Sequence, residues 1–289
     1  MPEVSVIIPA YNRKSFLENA VKSVLAQTYP DFEIIVVDDA STDGTLQLLT
    51  DLAKDDGRIR FERHQTNLGA QAARNTGIRA SQCKWIAFLD SDDLWLPESL
   101  SLRLELAMKT GAEVVHSACY TLRGEGGELE RFVLPPIEGS VYKDLLAAPG
   151  PTFPSLLVSK QALVNIGYLD SAIPSYQEWD TAIRLARHYT FAYFPQPTFV
   201  YDCRHQSTIS QDSVRAAAGY EHVFKKHKWS ILRHLGPKAL AFHYRRAAGF
   251  YYEANNREKA RTCIRKACLL WPLNLKIAFD RIRNSEAQP

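Results

Sequence analysis

Residues 4–12 read VSVIIPAYN, a largely β-branched run that ends in Pro-Ala-Tyr-Asn. Such a run, bounded by turn residues, predicts a buried β-strand followed by a loop. Similar runs, IIVV (34–37) and WIAFL (85–89), end in Asp38-Asp39 and in DSDD (90–93). Helical periodicity separates these runs, and strands that alternate with helices form a mostly parallel sheet covered on both faces. The fold class predicted for residues 1–118 is therefore α/β.

The same periodicities predict the elements around these strands. We expect the first helix to begin with a capping box at Ser15–Glu18. We also expect a hairpin to join residues 120–122 to residues 132–134 across a glycine-rich turn. Further helices are predicted near 46–52, 71–80, 98–108 and 177–188, and further strands at 58–62, 113–116, 156–158, 191–194 and 199–201. After residue 214 no strand is predicted, and small residues on both sides of Asn255-Asn256 predict a helical hairpin.

Charge divides the chain at residue 214. A chain of 289 residues, 46% apolar and 23% charged, is typical of globular proteins and excludes disordered, collagen-like and disulfide-scaffold classes. Its net charge of +3 conceals 19 Lys and Arg against 27 Asp and Glu in residues 1–214, and 16 against 5 in residues 215–289. We therefore predict a domain at 1–214 and a basic helical extension at 215–289, which resembles one tetratricopeptide-type helix pair.

The basic extension has two interpretations. Its charges form an ordinary solvated face, or they attract an anionic surface such as phospholipid or a polyprenyl-diphosphate-linked acceptor. Nucleic acid is not an expected partner, because no binding motif accompanies the charge. The scattered cysteines favour a reducing compartment, and the sequence shows neither a signal peptide nor a run of about 18 to 20 apolar residues. We therefore expect a cytoplasmic protein, with peripheral contact at the inner face of the membrane as an option.

Polar clusters follow three of the predicted strands, at the edge where ligands bind in open parallel sheets. Each cluster alone is compatible with an ordinary turn, whereas all three together favour a binding site. Asp90, Asp92 and Asp93 would raise one another's pKa unless a cation neutralises them, and Mg²⁺ or Mn²⁺ prefers such carboxylate oxygens. The sequence contains no P-loop, and no Gly-x-Gly-x-x-Gly follows the first strand, so ATPase and dinucleotide oxidoreductase interpretations lose their main support.

Five motifs in order identify a family resemblance: VSVIIPAYN (4–12), IIVVDDASTDGT (34–45), NLGAQAARNTGI (67–78), WIAFLDSDD (85–93) and QEWDTAIRLA (177–186). The chain resembles the family 2 glycosyltransferases over roughly residues 1–205. The resemblance implies a GT-A fold with a mostly parallel central sheet, here with a C-terminal α-helical extension. It also implies a nucleotide-binding half at 1–118 and an acceptor-side half at 119–214.

The resemblance implies a role for individual residues. Pro9, Tyr11, Asn12 and Asp39 would bind the nucleoside, with Tyr11 stacking on the base and Asp39 accepting from a base N–H, which suits uracil. Arg74 would lie near the nucleotide. In the DXD motif Asp90 would approach the ribose and Asp92 would bind Mn²⁺ or Mg²⁺. His205 matches a position near the metal or the diphosphate, with a structural role as the alternative. Asp93 would assist the site or cap the following helix.

The helix at 177–188 would carry the catalytic base. Glu178 stands where the family more often has Asp, and we expect it to take the proton from the acceptor hydroxyl. Asp180 lies about 200° further around a helix, so we expect it to pair with Arg184 instead. Three aromatic residues could stack on a sugar ring or pack in the core: Trp95, Tyr176 and Trp179.

These observations predict an inverting, metal-dependent glycosyltransferase. It would move a sugar from a nucleotide diphosphate donor, with a UDP-sugar favoured, to a hydroxyl acceptor in polysaccharide or glycoconjugate synthesis. One alternative is a catalytically inactive nucleotide-sugar-binding scaffold. Another is a nucleotidyltransferase, although its Gly-rich phosphate loop has no counterpart after the first strand.

Overall fold

The computed structural model describes residues 2–123, 128–132, 136–204 and 212–272. The chain divides into two compact units. The first comprises Met1–Tyr142, Gly150–Ala172 and Glu178–Gln206, and the second comprises Lys143–Pro149, Ile173–Gln177 and Ser207–Pro289. The second unit thus includes two short segments from the chain before residue 214, which a division by charge does not anticipate.

The first unit contains a mixed sheet with strand order β3-β2-β1-β4-β8-β6-β9-β5, and β7 pairs with β6. Strands β3, β2, β1 and β4 are parallel, and so is the β6–β9 pair. The other pairs are antiparallel. The bounds are β1 Val4–Ala10, β2 Phe32–Asp38, β3 Ile59–Arg63, β4 Trp85–Phe88, β5 Leu94–Trp95, β6 Val114–Arg123, β7 Glu128–Phe132, β8 Leu157–Ser159 and β9 Phe191–Asp202.

Between residues 2 and 204, the described part of the chain contains seven α-helices: α1 Lys14–Leu25, α2 Thr45–Asp55, α3 Ala70–Ala80, α4 Ser99–Thr110, α5 Tyr142–Ala147, α6 Lys160–Asn165 and α7 Gln177–Ala186. Residues 143–147 of α5 and Gln177 of α7 belong to the second unit. The predicted α/β fold is confirmed. All seven residues of β1 are buried, which explains why its apolar run does not alternate with polar residues. Helix α3 packs closely on β1, since a Cβ at Gly77 would lie 2.6 Å from Ile7 Cγ2.

The capping box predicted at Ser15 is wrong, because α1 begins one residue earlier and Ser15 lies inside it. A distant residue serves the helix start instead: Lys14 N–H donates to Asp43 Oδ2 at 3.0 Å. The predicted hairpin is confirmed for the described part of β6 and β7, while residues 133 and 134 lie outside the described residues. The strands predicted at 191–194 and 199–201 form one strand, β9, with register shifts opposite Ser117–Cys119.

In the second unit, residues 212–272 form four α-helices: α8 Ser213–Lys226, α9 Lys228–Leu235, α10 Pro237–Glu253 and α11 Arg257–Leu270. The predicted hairpin is confirmed as α10 and α11, joined through Asn255 with φ 54°. His243 bridges this unit internally, because Nδ1 accepts from Tyr220 Oη at 2.8 Å and Nε2 donates to the Leu146 carbonyl at 2.9 Å. Within the described ranges, no helix combines the length and apolar character needed to span a bilayer.

Candidate active site

Strand register brings the three polar clusters to one edge of the sheet. Ala10 of β1 lies opposite Asp38 of β2, and Ile7 of β1 lies opposite Phe88 of β4. The segments that follow these parallel strands therefore leave the sheet side by side. This edge carries the residues that the sequence predicts to bind the donor.

The segment after β1 presents one exposed aromatic ring. Pro9 is buried within β1, whereas the Tyr11 side chain is 47% exposed. Asn12 has a left-handed backbone with φ 52°, and its Oδ1 accepts from the Thr42 N–H at 2.8 Å. Its own N–H donates to Ser41 Oγ at 2.9 Å. Tyr11 is therefore available for stacking, while Asn12 joins the loops after β1 and β2.

The Asp39 carboxylate is buried and held by internal donors. Its Oδ1 accepts from the Leu68 N–H at 2.8 Å and pairs with His64 Nδ1 at 2.7 Å. Its Oδ2 accepts from the Gly69 N–H at 2.7 Å, just before α3. With two bonds on one oxygen and one on the other, a lone pair of Oδ2 remains for a ligand. Sequence reasoning missed His64, although its position directly after β3 is the same signal that selected Asp39.

Arg74 links α3 to the acidic segment that follows β4. Its Nη2 donates to Asp90 Oδ1, and its Nη1 donates to Gln71 Oε1 at 2.8 Å. The guanidinium carbon lies 4.3 Å from the Phe153 ring centroid, so a cation–π contact supports the side chain from below. Arg74 is 5% exposed, and the pair with Asp90 therefore holds both groups in fixed positions.

The negative charges of the neighbouring carboxylates, Asp92 and Asp93, are also reduced by other groups of the chain. Arg13 Nη2 lies 3.7 Å from Asp92 Oδ2. Burial, together with the charges of Asp90 and Asp92, raises the pKa of Asp93 well above its usual range, which favours its neutral form. The crowding of three carboxylates therefore does not by itself require a bound cation.

Asp93 does not cap the following helix, because its Oδ1 accepts from the Asp202 N–H of β9 at 3.1 Å. The residue at the N-cap of α4 is Glu98, and its side chain makes no capping bond. Of the two roles considered from the sequence, the capping role is wrong. This hydrogen bond joins the acidic segment to β9 instead.

Glu178 lies in the first turn of α7, close enough to Arg74 and Asp90 for their charges to act on it. Burial raises the pKa of Glu178 above its ordinary value, the Arg74 charge lowers it, and the Asp90 charge raises it. The structure thus brings together the predicted base, the predicted nucleotide-binding arginine and the first acid of the DXD motif. A carboxylate with a raised pKa is a stronger base.

The predicted pair between Asp180 and Arg184 is confirmed, with Arg184 Nε donating to Asp180 Oδ2 at 2.8 Å. Trp179 is fully buried, and Trp95 Nε1 donates to the Pro154 carbonyl at 3.2 Å inside the core. Tyr176 packs against Tyr220, with ring centroids 5.4 Å apart. Core packing is therefore the role that the structure supports for these three aromatic residues. His205 lies outside the described residues.

The residues at this edge suit a hard divalent cation, although within the described ranges no three His, Cys, Asp or Glu side chains form a group that could hold one. The side chains of Asp90 and Asp92 are 32% and 17% exposed and offer only carboxylate oxygens. Mg²⁺ typically uses one or two protein carboxylates and completes its shell with phosphate oxygens and water. The donor set present here fits that mode of binding.

Residues 5–154 match the family described as Glycosyl transferase family 2. The match covers more than half of the chain, and the chain belongs to this family. A Bacillus subtilis relative, named "Putative teichuronic acid biosynthesis glycosyltransferase TuaG", is 39% identical over 145 residues, which are 50% of this chain and 57% of the relative. The chain therefore spans little more than half the length of that relative.

Solved structures share the fold. S. aureus TarS 1-349 in complex with UDP-GlcNAc aligns with a TM-score of 0.63 and 17% identity, covering 92% of this chain and 91% of that TarS 1-349 chain. The mannosyltransferase PcManGT from Pyrobaculum calidifontis, in complex with GDP-Man and Mn²⁺, aligns with a TM-score of 0.62 and 18% identity. This alignment covers 96% of this chain and 88% of the PcManGT chain. The fold of this chain is accordingly that of the GT-A glycosyltransferases.

Proposed function

We propose that this protein transfers a sugar, with inversion, from a nucleotide diphosphate donor to a hydroxyl acceptor in polysaccharide or glycoconjugate synthesis. The observation that carries the proposal is the meeting of Glu178, Arg74 and Asp90 at the carboxyl edge of the sheet. A base beside the diphosphate end of a donor site is the arrangement that direct displacement at an anomeric carbon needs.

The nucleoside would lie between Tyr11 and Asp39, in a pocket that Pro9 and Asn12 help to shape. Tyr11 would stack on the base, and the remaining lone pair of Asp39 Oδ2 would accept a base N–H. Uracil carries such a donor, and TarS binds a UDP-sugar, so a UDP-sugar is the favoured donor. Arg74 and Asp90 would then hold the ribose and the diphosphate end.

Glu178 would remove the acceptor proton while the hydroxyl attacks the anomeric carbon from the face opposite the diphosphate. The C–O bond to the sugar forms as the bond to the leaving phosphate oxygen breaks, and the proton passes to the Glu178 carboxylate. The raised pKa of Glu178 favours this transfer. Trp179 and Asp180, both buried, anchor the helix turn that carries the base.

Asp92 would hold Mn²⁺ or Mg²⁺, with Asp90 nearer the ribose, and PcManGT was solved in complex with GDP-Man and Mn²⁺. When bound, the cation would neutralise charge that develops on the leaving diphosphate. His205 remains a candidate ligand from the sequence alone.

A panel of UDP-, TDP- and GDP-sugars, assayed for nucleotide release with Mn²⁺ and with EDTA, tests this proposal. We expect release from a UDP-sugar with Mn²⁺ and its loss in EDTA. Turnover that persists in EDTA would contradict the metal role. Nucleotide-sugar binding by calorimetry without any turnover would favour the inactive scaffold.

The basic extension is proposed to hold the protein at an anionic membrane surface, at the inner face of the membrane. Exposed apolar side chains lie among its basic residues, with Trp229 74% and Phe242 52% exposed. Lys238 and Arg245 line a groove with Phe242 and Trp271 between α10 and α11, so positive charge and apolar surface share one face. Such a face suits an interface that presents lipid phosphates above acyl chains.

A further inference from the structure

Arg13 lies between the segment that carries Tyr11 and the acidic segment after β4. Its backbone is anchored, because its N–H donates to Thr45 Oγ1 at 3.4 Å and the preceding Asn12 is bonded to Ser41 and Thr42. From this fixed backbone its guanidinium reaches Asp92, and the two side chains are only 19% and 17% exposed. A charge pair this sheltered from solvent is screened less than one on the surface.

Each acid of the DXD motif has its own arginine. Arg74 pairs with Asp90, and Arg13 pairs with Asp92. The two pairs differ in closeness, because Arg74 donates a hydrogen bond whereas the Arg13 nitrogen lies 3.7 Å from its acid. The contact between Arg13 and Asp92 is therefore an ion pair at longer range than the contact between Arg74 and Asp90.

We propose that Arg13 is the counter-ion of Asp92 in the donor-free protein and makes binding of the divalent cation depend on the nucleotide diphosphate. This inference rests on the proposed function, in which Asp92 is a metal ligand. Without nucleotide, a divalent cation at Asp92 meets the positive charge of Arg13 at short range, which weakens binding. A diphosphate reverses this balance, since its oxygens accept from the guanidinium and also complete the shell of the cation.

The proposal predicts that one substitution, R13Q, has opposite effects on the affinity for Mn²⁺ alone and on the affinity for UDP alone. R13Q removes the repulsion, so Mn²⁺ alone binds about tenfold more tightly, as the loss of one unit charge near a partly buried site implies. The same variant lacks a cation for the diphosphate, so UDP alone binds more weakly. R13K keeps the charge and binds Mn²⁺ alone as the wild type does.

The test is a titration of the full chain with Mn²⁺, with and without UDP, in which free Mn²⁺ is measured by electron paramagnetic resonance. K22Q is the matched control, because Lys22 lies on α1, pairs with the exposed Glu18 and loses the same unit charge away from Asp92. Thermal melting confirms that each variant is folded. We expect UDP to strengthen Mn²⁺ binding strongly in the wild type and K22Q, and much less in R13Q.

Equal Mn²⁺ affinity of R13Q, K22Q and the wild type without UDP would overturn the role of Arg13 and leave the proposed function standing. If the wild type binds UDP but no Mn²⁺ even when UDP is present, the metal part of the proposed function fails, and the inference fails with it.

Discussion

Asn75 of α3 exchanges two hydrogen bonds with the backbone of Leu169. Its Nδ2 donates to the Leu169 carbonyl at 2.8 Å, and its Oδ1 accepts from the Leu169 N–H at 2.9 Å. The preceding residue, Arg74, binds Asp90. Two adjacent residues of one helix therefore position the acidic segment and the chain between α6 and α7. Arg184 holds the same chain from α7, since its Nη1 donates to the Ile166 and Tyr168 carbonyls at 2.8 and 2.6 Å.

Removal of the Asn75 amide should reduce catalysis more than donor binding. N75A leaves the buried backbone groups of Leu169 without partners, which costs about 1 to 3 kcal/mol of folding stability. It also loosens the chain that leads to Glu178, so we expect kcat to fall while the Kd for UDP changes little. N165A, on an exposed amide of α6, is the control. Unchanged kcat in a stably folded N75A would show that Asn75 does not position the site.

Substitution of the proposed base should separate turnover from binding. E178Q keeps the shape of the side chain but cannot take a proton, so we expect kcat to fall by about 100-fold or more with donor affinity preserved. E18Q, on the exposed face of α1, should behave as the wild type. Full activity of E178Q would assign the base to another residue.

The pH dependence of kcat follows from the environment of Glu178. The base must be ionised, and burial raises its pKa above the ordinary value of 4.5. Activity should therefore be lost on acidification at a higher pH than an exposed glutamate would allow. A pH–rate profile at saturating donor checks this. A profile that stays flat down to the ordinary glutamate range would contradict the role.

Close packing of α3 on β1 should make Gly77 intolerant of a side chain. A Cβ there would meet Ile7 Cγ2 at 2.6 Å, so G77A should lower the free energy of unfolding by about 1 to 3 kcal/mol. G249A is the matched control, because nothing lies within 4 Å of a Cβ on Gly249 of α10. There the substitution should raise stability by up to about 1 kcal/mol. Denaturant unfolding of both variants compares the two, and equal effects would contradict the packing argument.

Stability should fall on mild acidification because two histidines are buried in neutral form. Burial lowers the pKa of His243 and of His116 from 6.5 to about 4. The unfolded chain binds these protons first, so the stability is present above pH 6.5 and is lost between pH 6.5 and about 4. Each histidine contributes up to about 3 kcal/mol to this loss.

Variants of His243 and His222 test the assignment of this pH dependence. Denaturant unfolding at several pH values should give H243Q a smaller loss than the wild type. The exposed His222 of α8 gives the control H222Q, which should keep the wild-type slope. If the free energy of unfolding changes equally with pH in all three proteins, His243 is not a source of the pH dependence.

Membrane association should depend on where the positive charge lies. At roughly 1 kcal/mol per basic residue near an anionic surface, R233Q/K238Q/R245Q should bind phosphatidylglycerol vesicles about 100-fold more weakly in cosedimentation. K54Q/K109Q/R187Q removes the same charge from exposed positions in the first unit and should bind as the wild type does. An equal loss of vesicle binding in both triple variants would show that the net charge of the protein, and not the position of the charges, controls binding.

The local sequence pattern was sufficient to predict the buried strands and the sheet edge at which the polar residues of the candidate site lie. Every residue of the run at 4–10 is buried, and all but Ser5 are apolar, because both faces of β1 are covered. Parallel strands place the polar residues that follow them on one side of the sheet. The motifs likewise indicated the family, because they reside in short contiguous stretches of sequence.

Only the tertiary structure decided which charges and amides meet. The sequence shows three closely spaced acids that would attract a cation, whereas the fold provides Arg74 for Asp90 and Arg13 for Asp92, and burial raises the pKa of Asp93. In the same way Asp43, rather than Ser15, serves the start of α1. These partners come from separate segments, and no local periodicity encodes their approach, because it depends on how the strands align and the helices pack.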